Sequence, residues 1–361
     1  MTCGPPVLPM LAKPTGDTVP ERTKNGTSLI YEPKWDGFRT LIFVDAQRQV
    51  VVQSRNGEDL SYCFPEVVET ARGLPTGVGL DGELVIAQGG RLQFELLGQR
   101  IRPRSEAGGW KIAELAGEHP AHFVAFDVVC HQGQSVEQQP FEERRRLLEG
   151  LPLPDGMFLT PATTDPELAR RWFEEFEGAG LDGIVAKPVD LTYQPGKRVM
   201  LKVKHIRTAD CVVAGWRPYK VPGPDGQPVV GSLLLGLYDE QGQLHHVGVA
   251  ASFSAAKRLE LTETLATHAA TDEHPWLAWA QAHGGRIPGV QSRWSAGKDL
   301  SFVPTNPDLV AEVKYDHMEG SRFRHVTKLL RLRPDRDPDS CTYEQLETPV
   351  RFDLSEVLPG L

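Results

Sequence analysis

The stretch YEPKWDGFRT at 31–40 sets a lysine, Lys34, two residues before an Asp-Gly pair and five before an arginine, Arg39. A lysine amine can be a nucleophile, but at its reference pKa of about 10.4 it is protonated at neutral pH, and ammonium cannot attack. Nucleophilic use needs desolvation or neighbouring cations. Taken alone, the tetrapeptide also fits a solvated lysine beside a turn, and four residues fix little.

Other segments carry complementary chemistry. In VMLKVKH at 199–205, Lys202 and Lys204 are two apart, so in a strand they share a face. Two ammonium groups on one face suit an anion, or protect an exposed sheet edge. LDGELVIA at 80–87 places Asp81 before a glycine turn and Glu83 at the mouth of an apolar strand. A carboxylate there can hold a divalent cation or a sugar hydroxyl, or simply flank a turn in solvent. SRNGED at 54–59 puts Arg55 in a tight turn, as a bidentate phosphate ligand or as the solvent face of an Asn-Gly hairpin. FVAFDVV carries Phe126, a stacking platform or a core residue, next to Asp127. LDGIVAK offers Asp182 at a glycine turn, followed by a strand ending in Lys187. Together they supply a lysine, further cations, carboxylates for a metal and an aromatic for a base.

These groups need a scaffold. A chain of 361 residues predicts two domains, each large enough for its own core. The net charge of −9 means that nucleic-acid affinity would come from a local basic face, such as 314–336, and not from bulk charge. Five cysteines (Cys3, Cys63, Cys130, Cys211, Cys341), widely spaced and without a C-x-x-C pair, argue against a disulfide framework or zinc ribbon and for a reduced, cytoplasmic setting. The proline-broken N-terminus does not resemble a signal peptide, and no run of 18 apolar residues predicts a membrane span.

Short β-branched runs (TLIFVDA, QVVVQSR, ELVIAQ, HFVAFDVVC, GIVAKPV, VMLKVKH) are punctuated by turns and interrupted by helical patterns at 141–151 and 165–180. Asp165 is an N-cap candidate and Pro166 sits at N1. This predicts an α+β domain of largely antiparallel sheets. After about residue 205, CVVAGWRPY, GSLLLGLYD, LHHVGVAAS, LVAEVKYD and FRHVTKLLRLR read as strands. One helix begins at an N-cap, Ser254, a pattern that fits a small OB-fold barrel. The expected domains are 1–207 and 208–361.

The ordered set KWDG, SRNG, DGEL, FVAFD, DGIVAK and LKVK, with KLLRLRPDRDP at 328–338, resembles the nucleotidyltransferase motifs of ATP-dependent DNA ligases. YQPGKRVMLKVKH and the last motif look most like the small bacterial repair ligases, ligase C and the ligase part of ligase D. The resemblance implies an adenylation (nucleotidyltransferase, ATP-grasp-like) domain followed by an OB-fold. It implies Lys34 as the nucleophile that takes AMP from ATP, passes it to the 5′-phosphate of a nick, and allows the 3′-hydroxyl to seal. It also implies Phe126 stacking on adenine, Glu32 near the adenine pocket, Glu83 on the ribose or a metal, and Arg39 and Arg55 near AMP and the nick phosphate. Lys187, Lys202 and Lys204 would hold phosphates, with Lys202, Lys204 and the metal also depressing the Lys34 pKa and Asp36 favouring its ammonium form. Arg333 and Arg336 would act on the pyrophosphate.

Mg2+ or Mn2+ is expected at Glu83 and Asp182, although Asp182 stands where the family usually has glutamate, leaving direct contact open. Arg336 stands where a lysine is more usual, which keeps the charge but not the geometry. Nicked duplex DNA is the implied partner of a monomer associated with the nucleoid, with a repair primase-polymerase and Ku as further partners. RNA ligases and guanylyltransferases share the superfamily. A non-catalytic OB-fold binder would have lost the lysine or the carboxylates, and both are present.

Overall fold

The computed structural model describes residues 4–102, 104–270, 274–277, 301–347 and 351–361. The chain divides into two compact units, Met1–Lys204 with Pro349–Leu361, and His205–Thr348.

The strands that position the site in the first unit are β1 (Leu11–Pro14), β2 (Leu29–Pro33), β3 (Phe38–Val44), β4 (Val50–Ser54), β5 (Val78–Val85), β6 (His122–His131), β7 (Met157–Leu159), β8 (Ile184–Pro188) and β9 (Arg198–Val203). They form two sheets, ordered β1-β9-β8-β2 and β7-β6-β5-β3-β4. All these neighbours pair antiparallel except β1 with β9 and β7 with β6. The α+β reading with mainly antiparallel sheets agrees with this architecture.

The period of two along each strand decides which residues meet. In the first sheet Leu29, Tyr31, Ile184, Ala186 and Val203 form one core with Ala169 of a helix, α5. Their alternates Ile30, Val185 and Met200 face the other way, into a core shared with Leu41, Phe43 and Val129 of the second sheet. The opposite face of the second sheet packs Ile42, Leu80 and Phe123 against the short helices α1 (Pro65–Ala71) and α2 (Phe94–Arg100), through Val67 and Leu97. Three further helices, α3 (Glu106–Glu118), α4 (Phe141–Glu149) and α5 (Pro166–Glu175), complete the layer. In α5 the Asp165 carboxylate accepts from Glu167 N at 2.9 Å and Pro166 begins the helix, as the sequence suggests. The expected helix to 180 instead tightens into a 3-10 turn at Phe176–Ala179 and stops at Gly180, whose φ is +88°.

Two sequence readings are corrected. Asp81-Gly82 is no turn but the centre of β5. Gly82 is there because a Cβ would lie 2.4 Å from the Phe123 ring and 2.5 Å from Val124 O, at a register shift against β6. Cys130 is disulfide-bonded, against the expectation of no disulfide framework. Cys3 lies outside the described residues. Cys63, Cys211 and Cys341 are free and buried.

Among the described residues, the main sheet of the second unit has five strands, β10 (Arg207–Pro218), β11 (Val230–Tyr238), β12 (Leu244–Ala250), β13 (Val303–Tyr315) and β14 (Lys328–Leu332), in the order β12-β11-β10-β13-β14. A parallel bridge, Ala250 to Thr327, links the end of β12 to the residue before β14. Leu261 and Leu265 of helix α6 (Ala255–Ala266) enter the core, and Ser254 caps that helix by accepting from Lys257 N. The basic run FRHVTKLLRLR is split between Arg322–Phe323 and β14.

The C-terminal residues, expected in the second domain, belong to the first unit. There a one-turn helix, α7 (Leu354–Val357), buries Leu354 and Val357 beside Trp35 and Phe176. Apolar burial outweighs chain proximity for this segment. Among the described residues no helix is long and apolar enough to cross a membrane.

Candidate active site

A cavity of about 210 Å³ is lined by both sheets of the first unit. Glu32, Lys187 and Lys202 reach it from β2, β8 and β9; Arg39, Glu83 and Phe126 reach it from β3, β5 and β6. Lys34 enters from the β2–β3 link and Arg55 from the turn after β4. Eight residues singled out in the sequence thus line one cavity. Two more, Asp182 and Lys204, join them through ion pairs. Arg333 and Arg336 belong to the second unit.

Lys34 is fixed by its backbone before its side chain. Its N–H donates to Gly183 O at 2.8 Å, and its carbonyl accepts from Asp182 N at 2.9 Å. Gly183 has φ +114°, and a Cβ there would lie 2.1 Å from Val203 O. Only glycine allows that approach. The Lys34 amine then sits 2.6 Å from Asp182 Oδ2, which the Lys204 amine also reaches at 2.6 Å.

This arrangement corrects the expected electrostatics. Burial alone would lower the Lys34 pKa, but the charge and hydrogen bond of Asp182, with Glu83 and Asp36, raise it above the ordinary value. The amine is therefore held as ammonium. For Asp182 burial pushes upward, yet Lys34 and Lys204 hold its carboxyl below the ordinary range. The lysine with the lowered pKa is Lys202, through burial and then the charges of Lys204 and Lys34. Lys204 lies one residue past the end of β9, and its charge reaches Lys202.

In the same cavity, Phe126 is flanked by cations. The Arg39 guanidinium lies 4.4 Å from its ring centroid and the Lys187 amine 4.8 Å. Arg39 is clamped by both oxygens of Asp81, at 2.6 and 2.7 Å, and Tyr193 donates to the same carboxylate at 2.6 Å. Lys187 is buried against Glu32 at 2.7 Å and donates to Phe126 O at 2.9 Å. It lines the cavity together with Lys202. Burial raises the Glu32 pKa, against the pull of Lys187 and Arg145. Trp35 donates to Thr160 Oγ1 at 2.8 Å, and Arg145 to Thr160 O at 2.8 Å.

Sequence reasoning missed Tyr193, Arg144, Arg145 and the true role of Asp81. The only trace is the run Arg144-Arg145-Arg146 on α4, where the first two are buried and pair with Asp127 and Glu32. Nothing in that spacing names the partners.

Glu83 is the second electrostatic feature. Burial, opposed by Arg39 and Lys34 and helped by Asp36 and Asp81, pushes its carboxyl up to about 7. Among the described residues no cluster of three His, Cys, Asp or Glu forms a ready metal cage. The donor chemistry still suits a hard cation. Glu83 has no ion pair among the described residues, and Asp182 is a carboxylate now shared by two ammonium groups.

In the second unit Arg333 contacts Asp210 at 3.2 Å and Asp335 at 2.8 Å, and Arg336 lies 3.6 Å from Asp210. Both arginines are thus already paired within their own unit.

The raised Glu83 pKa has a stability consequence. Above its folded pKa of about 7 the folded state must bury a charge that the unfolded chain exposes, whereas below the unfolded value of 4.5 it need not. Glu83→Gln should therefore stabilise the metal-free protein increasingly between pH 4.5 and about 7, by up to about 3 kcal/mol at higher pH. Urea unfolding of both proteins across that range measures this. A gap that does not grow with pH would show that the carboxyl titrates normally.

Comparison with known proteins is consistent with this geometry. Residues 9–204 match the family model of the ATP dependent DNA ligase domain, and residues 226–336 that of the ATP dependent DNA ligase C terminal region. DNA ligase C of Mycobacterium tuberculosis is 48% identical over 99% of this chain and 98% of its own length. The multifunctional non-homologous end joining protein LigD of Mycolicibacterium smegmatis is 29% identical over 87% of this chain, which matches 37% of that longer protein. A solved Lig E DNA ligase superposes with a TM-score of 0.51 at 18% identity, covering 88% of this chain and 99% of its own, a likeness of fold. The chain belongs to the ATP-dependent DNA ligase family.

Proposed function

We propose that this protein is an ATP-dependent DNA ligase that seals 3′-hydroxyl/5′-phosphate nicks through AMP carried on Lys34. The observation that carries the reading is the half-buried Lys34 amine, paired with Asp182 at 2.6 Å, in the lining of a cavity that also offers Phe126 as a base platform. The first unit is then the adenylation domain. The second is an OB-type barrel, a reading supported by the Ala250–Thr327 bridge between its outer strands.

In the first step the Lys34 lone pair attacks the α-phosphorus of ATP, the bond to the β-phosphate oxygen breaks, and pyrophosphate leaves. Attack requires Lys34 to shed the proton that Asp182 holds on its amine at 2.6 Å. Lys202 and Lys204 bind phosphate oxygens, Arg39 and Phe126 hold the nucleoside, and Glu32 and Lys187 shape the base pocket. Arg55 meets the 5′-phosphate of the nick. Magnesium or manganese would be held by Glu83 and Asp182, neutralising phosphate charge and weakening the hold of Asp182 on the Lys34 proton. AMP then passes to the 5′-phosphate, and the 3′-hydroxyl displaces it.

The direct test incubates the protein with α-labelled ATP and then nicked DNA. Label from ATP, but not GTP, should appear on Lys34. Lys34→Ala should form no adduct and lose sealing by at least about a thousandfold. Its nick binding should change less than about tenfold, since affinity is spread over many phosphate contacts. An adduct on the Ala variant would remove Lys34 from this role.

Arg333 and Arg336 are assigned to the pyrophosphate, which is present only in the first step. Changing both to alanine should slow lysyl-AMP formation by on the order of a hundredfold while sparing a nick already carrying 5′-AMP. Equal losses in single-turnover assays of the two steps would mean that they only bind DNA.

We extend the reading to repair by a monomer, with a primase-polymerase and Ku as partners, on the analogy with the end-joining relative. Affinity capture from DNA-damaged cells that recovers neither partner would count against it.

A further inference from the structure

We infer that Tyr193 is a positioning residue for ATP, acting through Asp81 to hold Arg39 over Phe126. The inference rests on the ligase reading above and extends it to a residue outside the motifs.

Tyr193 lies in the connection between β8 and β9 of the first sheet, and its hydroxyl crosses to Asp81 on β5 of the second. It is therefore a hydrogen bond that ties the two sheets together beside the cavity they line. Asp81 is fully buried and its acceptor capacity is divided. Oδ1 takes Arg39 Nε at 2.6 Å, and Oδ2 takes both Arg39 Nη2 at 2.7 Å and Tyr193 Oη at 2.6 Å.

A carboxylate oxygen shared by two donors cannot swing toward either without weakening the other. The Tyr193 bond thus sets the plane of Asp81, and the bidentate fork transmits that plane to the Arg39 guanidinium. Arg39 in turn stands 4.4 Å from the Phe126 centroid, at the nucleoside end of the cavity. Burial and the neighbouring Asp81 charge raise the Tyr193 pKa well above its ordinary value, so the hydroxyl remains a donor throughout the working range.

The connection that carries Tyr193 is itself held. Its backbone N–H donates to Glu137 O at 2.7 Å, and Leu191 O accepts from Arg144, whose guanidinium pairs with Asp127 beside Phe126. The aromatic ring packs with Met10, Phe43 and Phe141. Tyr193→Phe therefore keeps the packing and removes only the hydroxyl.

The test is a double-mutant cycle on lysyl-AMP formation from α-labelled ATP. Tyr193→Phe should raise the KM for ATP by about tenfold with kcat within about twofold, the size of a lost charge-assisted hydrogen bond acting on binding. Arg39→Ala should do more, and the double variant should be no worse than Arg39→Ala alone. Additive losses would show that Tyr193 supports the fold and does not act through Arg39. Asp81→Asn, with Tyr193 intact, must show the same non-additivity with Arg39→Ala, and it serves if the tyrosine variant is unstable. If Tyr193→Phe keeps the wild-type KM while Arg39→Ala is crippled, the positioning role is wrong and the ligase reading stands. If Arg39→Ala adenylates normally, the assignment of the cavity to the nucleoside fails first, and the positioning role with it.

Discussion

One carboxylate oxygen, Asp182 Oδ2, is shared by two ammonium groups, Lys34 and Lys204, in a site largely withdrawn from water. Lys34 owes its place to that contact. The cost of bringing Lys34 out of solvent is offset by the anion facing it, and removal of the anion would leave two uncompensated cations. The same contact parks the amine in its unreactive, protonated form. A lysine so held is protected until negative charge near it is redistributed, which a nucleotide and its cation would do. Glu83 complements this arrangement. Asp182 is ionised well into acid, whereas Glu83 sits near neutrality at about 7. Two carboxylates near one amine thus differ in charge at neutral pH, a difference set by burial and neighbours, not by residue type.

Backbone geometry makes that contact possible. The Lys34 segment is bonded in both directions to Asp182-Gly183, and glycine at 183 lets β9 come close enough for Lys204 to join. Gly82 does the same service for β5 and β6, which bring Glu83 and Phe126 to the opposite wall. The cavity exists because two sheets each present alternate residues inward, and small residues at two crowded points let the strands approach.

Away from the amine, the cavity is framed by buried ion pairs: Arg39 with Asp81, Lys187 with Glu32, Arg144 with Asp127. Such pairs contribute little net stability, since desolvation consumes most of their attraction. Their value here is geometric. Each holds a long, flexible cation in one orientation near Phe126 or the strand that carries it, and a binding site gains affinity from groups already placed. In the second unit the arginines Arg333 and Arg336 are likewise held by Asp210.

The residue types around Lys34 were legible in the sequence because adenylate chemistry needs a nucleophile, cations, carboxylates and an aromatic, and these recur in short segments in a fixed order. Alternation in β9 was legible too, since a period of two is a property of the strand itself. Asp165 and Ser254 announced their helices because capping is local, within three residues. What tertiary structure decided was every relation between distant segments. Asp81-Gly82 looks like a turn until Phe123 is known to sit against it. Tyr193, Arg144 and Arg145 carry no signature, because their partners lie on other strands and helices. The C-terminal residues joined the first unit on apolar contact alone. The protonation of Lys34 in the metal-free protein was not legible for the same reason. Two lysines at 202 and 204 suggested a depressed pKa, but charge effects fall with distance in space, and Asp182 had come closer.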